Sequence, residues 1–249
     1  MTFTGYKGAA KGLDDIDPPR IGATIGVGED EIHAFMDVEA SGAGFDAEGR
    51  VKMLFEPHIF WRELGPGKAR DLAASKGLAY EKWKPGAYPR ESYTRLSAAM
   101  AINETAALRS ASWGLGQIMG FNHVAAGYAT PQDMVTDFAA DEDNQLEAMI
   151  RFITAKGLAA AIRAHDWQKI ETVYNGGGHG GAYAVKMKAA DERWQKIKDT
   201  PWPQSVPQEP AKPETPPVTQ NSAGRGIAAA VMAIAAAVAA VVAYFFGVK

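Results

Sequence analysis

The stretch 29-EDEIHAFMDVEASGAG-44 decides how this chain is read. Ile32, Phe35, Met36 and Glu39 fall at i, i+3, i+4 and i+7, so one helix face carries three apolar side chains and one carboxyl. Ala40-Ser41-Gly42-Ala43-Gly44 follows at once, and its glycines can end a helix in left-handed geometry and let another molecule approach the backbone. An acid on the inward face of a helix C-terminus is desolvated and sits at the negative end of the macrodipole. Both effects favour its protonated form, which makes Glu39 a candidate general acid. Taken alone, a glutamate at the edge of an apolar stripe is more often a solvated helix end or a structural hydrogen-bond partner. The neighbouring segments therefore have to decide.

Working outward, residues 44–50 are rich in turn formers, and Val51-Lys52-Met53-Leu54-Phe55-Glu56 alternates as one arm of a short hairpin. Glu56, at the end of that arm, is a second acid that could face the same cleft as Glu39. Residues 96–108 read as a helix. Thr130-Pro131-Gln132-Asp133 is a capping arrangement that opens a helical segment running through Gln145, Met149 and Phe152 to Gly157. Further helices fit 158–164, 166–174 and 183–196. Helices with one small hairpin, and no alternating strand-helix units, predict a mostly helical α+β fold.

With 249 residues and 47% hydrophobic content, the chain can bury one good-sized core. A net charge of −3 and the absence of a long basic tract exclude nucleic acid as an expected partner. The chain has no cysteine, which excludes disulfides, thiolate zinc sites and cysteine nucleophiles together. The histidines, His33, His58, His123, His165 and His179, show no HExxH or comparable spacing, so neither a metal site nor a cofactor is expected.

Residues 1–20 have no apolar segment of the kind a secretory signal needs and read as an N-terminal extension. The folded domain is expected over 21–198. Residues 199–226 are rich in proline and polar side chains, the composition of an extended linker that could reach on the order of 80 Å. Residues 227–247 form an uninterrupted apolar run of about 21 residues, long enough to cross a hydrocarbon core of about 30 Å as a transmembrane helix. The expected protein is thus anchored to a membrane by a single C-terminal span.

Two further segments combine polar groups with glycine. Together with Val38-Glu39-Ala40-Ser41-Gly42-Ala43-Gly44-Phe45 and Met53-Leu54-Phe55-Glu56-Pro57-His58-Ile59-Phe60, the run Ser110-Ala111-Ser112-Trp113-Gly114-Leu115-Gly116-Gln117-Ile118-Met119-Gly120 and the late Tyr174-Asn175-Gly176 resemble the N-acetylmuramidase domain of phage endolysins. That domain belongs to the lysozyme superfamily, near goose-type lysozymes and soluble lytic transglycosylases. The resemblance spans 21–198, and its specificity lies in the combination, since each motif is weak alone.

The resemblance implies a lysozyme-like domain that acts on the peptidoglycan glycan strand between N-acetylmuramic acid and N-acetylglucosamine, with Glu39 as proton donor. Ala40 stands where relatives usually have Ser, which removes a hydrogen bond near the acid but not the acid. The resemblance does not single out the second carboxylate. Glu56 comes first, with Asp46 and Glu48 behind it because a turn would leave them solvated. Ser41, Ser112, Gln117, Tyr174 and Asn175 are implied in substrate positioning. Hydrolysis is the expected outcome. Attack by the muramic acid 6-hydroxyl, giving an anhydro end as in a lytic transglycosylase, stays open, as does a non-catalytic, membrane-tethered wall-binding or virion protein.

Overall fold

The computed structural model describes residues 5–39, 43–83, 92–174 and 180–201, with Glu39 described through its backbone. Helix starts follow local capping chemistry. α1 (Asp17–Ala23) has Pro18 and Pro19 in its first turn, where a missing N–H costs nothing. α2 (Glu29–Glu39) opens on Glu29, Asp30 and Glu31, acids that suit the positive end of the helix dipole. Its inward face buries Ile32, Ala34 and Phe35 completely. α3 (Pro57–Leu64) again starts with proline, and α4 (Lys68–Ser75) follows a glycine turn.

The helix expected over 96–108 is in fact two, α5 (Ser92–Met100) and α6 (Glu104–Arg109). Asn103 leaves helical geometry at φ −158° and its side chain accepts a hydrogen bond from the Ala106 N–H, so it caps α6. The 130–157 segment divides in the same way into α7 (Pro131–Phe138), capped by Thr130, and α8 (Glu142–Ala155), capped by Asp141. α9 (Ala159–Arg163), α10 (Trp167–Tyr174) and α11 (Ala182–Trp194) occupy the last three expected segments.

β1 (Met53–Phe55), β2 (Ala111–Trp113) and β3 (Ile118–Met119) form an antiparallel sheet in the order β1-β2-β3. Leu54 stands opposite Ser112, and Ser112 opposite Met119. The turn before β1 forms as expected. Phe45 bridges Val51, the Asp46 carboxylate accepts from the N–H groups of Glu48 and Arg50, and its other oxygen meets Arg50 Nε at 2.6 Å.

One continuous core contains Phe35, Phe60, Leu96, Leu108, Trp113 and Phe138. α2 lies near its centre, packed on α1 and α11. The chain before Ile21 joins this packing: Ala10 N–H donates to the Ala139 carbonyl at 3.2 Å, and the Tyr6 ring meets Trp113 edge-on at 5.5 Å.

The expected transmembrane helix is corrected. Among the described residues no helix is long and apolar enough to cross a membrane. The longest of them, α8, has 14 residues. It therefore rises about 21 Å, short of the roughly 30 Å that a hydrocarbon core requires. Residues 227–247, on which that expectation rested, lie outside the described residues. The architecture is a mostly helical α+β domain with a three-stranded sheet, and the membrane-anchored localisation falls with the span.

Candidate active site

Glu39 is the last residue of α2, and its side chain lies outside the described residues, as do Ala40, Ser41 and Gly42. The structure describes the ground on either side. One turn before Glu39, Phe35 meets the rings of Tyr174 and Trp167 edge-on, each at 6.4 Å, and Tyr174 meets Phe152 at 5.7 Å. The end of α2 is therefore backed by aromatic rings from α8 and α10. Tyr174, expected at the substrate, is 3% exposed, so its ring belongs to this backing. Asn175 lies outside the described residues.

On the other side, Gly44 is held from two directions. Its N–H donates to Glu142 Oε1 at 2.5 Å, and its carbonyl accepts from the Lys52 N–H at 2.8 Å. The Lys52 carbonyl in turn accepts from the Gly114 N–H at 2.8 Å, joining the loop after α2 to the β2–β3 turn. Gln145 completes the junction: its Oε1 accepts from the Leu115 N–H at 2.6 Å, and its Nε2 donates to the Phe138 carbonyl at 2.9 Å. A Cβ on Gly44 would stand 1.9 Å from that Oε1, and one on Gly114 would stand 2.7 Å from it. Gly114 also has φ +67°, a conformation that L side chains rarely adopt.

Glu142 and Gln145, spaced i, i+3 on α8, thus lock the exit of the Glu39 segment onto the sheet. Sequence reasoning passed over them as a functional pair. The available signal was two polar side chains on the inward face of an amphipathic helix beside Leu146 and Met149. Buried polar groups at such positions are almost always engaged by a specific partner.

Ser112 and Gln117 are brought together, but toward each other. Ser112 Oγ donates to Gln117 Oε1 at 2.8 Å, and Gln117 Nε2 donates to the Gly114 carbonyl at 2.8 Å. Gln117 also holds φ +45°, a strained conformation that persists where the surroundings over-determine it. Its carboxamide fixes the β2–β3 turn at both ends, and each end keeps one further hydrogen-bonding position.

Glu56 precedes α3 at the end of β1 and is 1% exposed. Its N–H donates to the Ser110 carbonyl at 2.9 Å, and its Oε2 lies 3.4 Å from His58 Nδ1. Burial, reinforced by the charge of Arg62, lowers the His58 pKa to about 4. The imidazole is therefore neutral near pH 7, and the contact is not an ion pair. Asp46 is engaged by Arg50 within its turn, and Glu48, with a side chain 59% exposed, reaches the same arginine at 3.3 Å. Of the three acids considered for a second carboxylate, Glu56 is the buried one.

Residues 29–195 match the family Muramidase, described as N-acetylmuramidase. Among solved structures, the crystal structure of an endolysin from Burkholderia AP3 phage is 36% identical, with a TM-score of 0.67 over 75% of this chain and 72% of that one. No curated protein matches the chain. The matched span begins at the first residue of α2 and ends just past α11, so it takes in the Glu39 segment, the sheet, Glu56 and the Glu142–Gln145 clamp. The chain belongs to the N-acetylmuramidase family and is a glycoside hydrolase that cleaves peptidoglycan.

Proposed function

We propose that this muramidase hydrolyses the bond between N-acetylmuramic acid and N-acetylglucosamine, with Glu39 as the general acid. The observation that carries the reading is the position of Glu39 as the last residue of a helix whose inward face is buried and whose following loop is clamped at Gly44. Glu39 donates its proton to the glycosidic oxygen as the bond to C1 breaks through an oxocarbenium-like state. A water molecule then bonds to C1 and gives a proton to Glu56. Such attack inverts the anomeric centre when the two carboxyls stand about 6.5 to 9.5 Å apart. Ser41 and Asn175 hydrogen-bond the sugars in this scheme. Ser112, Gln117 and Tyr174 act behind them, holding the turn and the helix end in shape.

The test is Glu39→Gln, which keeps the shape of the side chain and removes the acid. Clearing of purified cell wall is expected to fall by about 10²- to 10⁴-fold, the usual range for general acid catalysis, with an unchanged thermal midpoint. Clearing at the parental rate would remove Glu39 from the mechanism.

A further inference from the structure

We infer that Glu31, His165 and Asp191 form a binding site for one divalent transition-metal ion of the zinc class. The three side chains come from the first turn of α2, the α9–α10 connection and α11. Glu31 Oε1 lies 2.9 Å from His165 Nε2, and His165 Nδ1 lies 3.4 Å from Asp191 Oδ2. One ligand atom from each residue falls within 4.8 Å of the other two. Tetrahedral bonds of about 2.0 to 2.2 Å set ligand atoms roughly 3.3 to 3.6 Å apart, so small side-chain adjustments close the site around an ion.

A bare oxygen on a buried acid points to a ligand rather than to a solvated acidic patch. Asp191 is 2% exposed and its buried Oδ1 has no hydrogen-bond partner among the described residues. A buried carboxylate oxygen left bare is costly. His165 adopts φ +50°, the left-handed region, and its ring is stacked on Trp167 at 5.2 Å and 17°. That left-handed conformation is the cap that ends α9, where the His165 N–H donates to the Ile162 carbonyl at 2.9 Å and the Asp166 N–H to the Ala161 carbonyl at 2.8 Å, and it leaves the imidazole between the two acids. Glu31 is also oriented from behind, since the Gly28 N–H donates to its Oε2 at 3.0 Å, while Gln195 Nε2 donates at 2.9 Å to the same Asp191 Oδ2 that faces His165. Supporting hydrogen bonds of this kind are the usual outer layer of a metal site.

Glu29 and Asp30 flank Glu31 in the first turn of α2. One imidazole nitrogen with two carboxylate oxygens suits zinc and its neighbours better than calcium or magnesium, which prefer all-oxygen shells. The His165 side chain is 38% exposed, which leaves the remaining coordination positions to water. The ion would join the start of α2 to α11, at the opposite end of the helix from Glu39, so its effect is read in stability rather than in bond cleavage.

The experiment uses the full chain without a polyhistidine tag, stripped with chelator and titrated with zinc by calorimetry and thermal unfolding. One ion per chain is expected, with a dissociation constant in the micromolar range or below and a rise in Tm, because an ion that binds only the folded state stabilises it. The same concentrations of calcium or magnesium are expected to leave Tm unchanged. His165→Gln and Asp191→Asn are expected to weaken zinc binding at least tenfold, whereas Glu81→Gln, at an exposed carboxylate elsewhere, leaves it intact. If Asp191→Asn does not fold, the partly exposed His165→Gln decides. Binding only at millimolar zinc, or binding of equal strength in parent and His165→Gln, would overturn the site.

Discussion

The carboxamide oxygen of Gln145 occupies the space beside Gly44 so closely that a Cβ on the glycine would stand 1.9 Å from it, while the same oxygen accepts the Leu115 N–H. One side chain on α8 therefore couples the exit of the Glu39 loop to the β2–β3 turn. The loop that follows Glu39 depends on a hydrogen-bond acceptor buried in the interior.

Gln145→Ala should be among the most damaging substitutions in the domain. It strands the Leu115 N–H and the Phe138 carbonyl in the interior and leaves a cavity, together costing about 2 to 5 kcal/mol. Urea unfolding checks this, and an unchanged midpoint would remove the clamp from the account. Wall clearing should fall with it below the temperature of global unfolding.

Glu171 makes a comparable clamp between α10 and α11. It is 4% exposed and accepts the N–H groups of Gly181 and Ala184, both at 2.9 Å, tying the last turn of α10 to the start of α11. Glu171→Ala is expected to cost about 1 to 3 kcal/mol, because one buried and one half-buried donor lose their acceptor. Glu171→Gln, which keeps one acceptor oxygen, should fall between that variant and the parent. Equal midpoints for all three proteins would show that the clamp contributes nothing.

His58 sets an acid limit on stability. Its folded pKa is lowered to about 4 by burial and by Arg62, while an unfolded histidine titrates near 6.5. Below pH 6.5 the unfolded chain binds a proton that the folded chain refuses. The stabilisation is thus complete above the unfolded pKa and is lost as pH falls toward the folded one. One proton allows a slope of at most about 1.4 kcal/mol per pH unit. Denaturation of the parent and of His58→Gln between pH 7 and 4 should diverge, the parent losing more, and parallel curves would contradict the assignment.

The role of Glu56 is read from products and rate together. Mass spectrometry of sugars released by the parent should find reducing muramic acid ends, whereas anhydro ends would identify the 6-hydroxyl as the attacking group. Glu56→Gln should lower the turnover rate by about 10²- to 10⁴-fold if the carboxylate takes the proton from water. Turnover at the parental rate would leave Glu56 a buried structural acid.

Much of the helical framework was legible because its signals are local. The spacing of Ile32, Phe35 and Met36, the proline at the start of α7 and its Thr130 cap each act within a few residues. The breaks at Asn103 and Asp141 were not foreseen, since the apolar pattern continues across them and only the capping side chains interrupt it. β2 and β3 were also hidden: strands of three and two residues, buried on both faces, carry no alternation to read.

By itself the sequence determined that a carboxyl ends a buried amphipathic helix ahead of a glycine-rich loop, and that the surrounding motifs are those of an N-acetylmuramidase. Periodicity, caps and motif spacing are properties of neighbouring residues, so they survive in a linear reading. Tertiary structure alone decided that Gln145 serves Gly44 and Leu115, that Glu56 rather than Asp46 is the buried acid, and that His165 meets Glu31 across 134 positions of chain. Contacts between residues so far apart have no spacing to betray them, because packing of the whole core sets their distance.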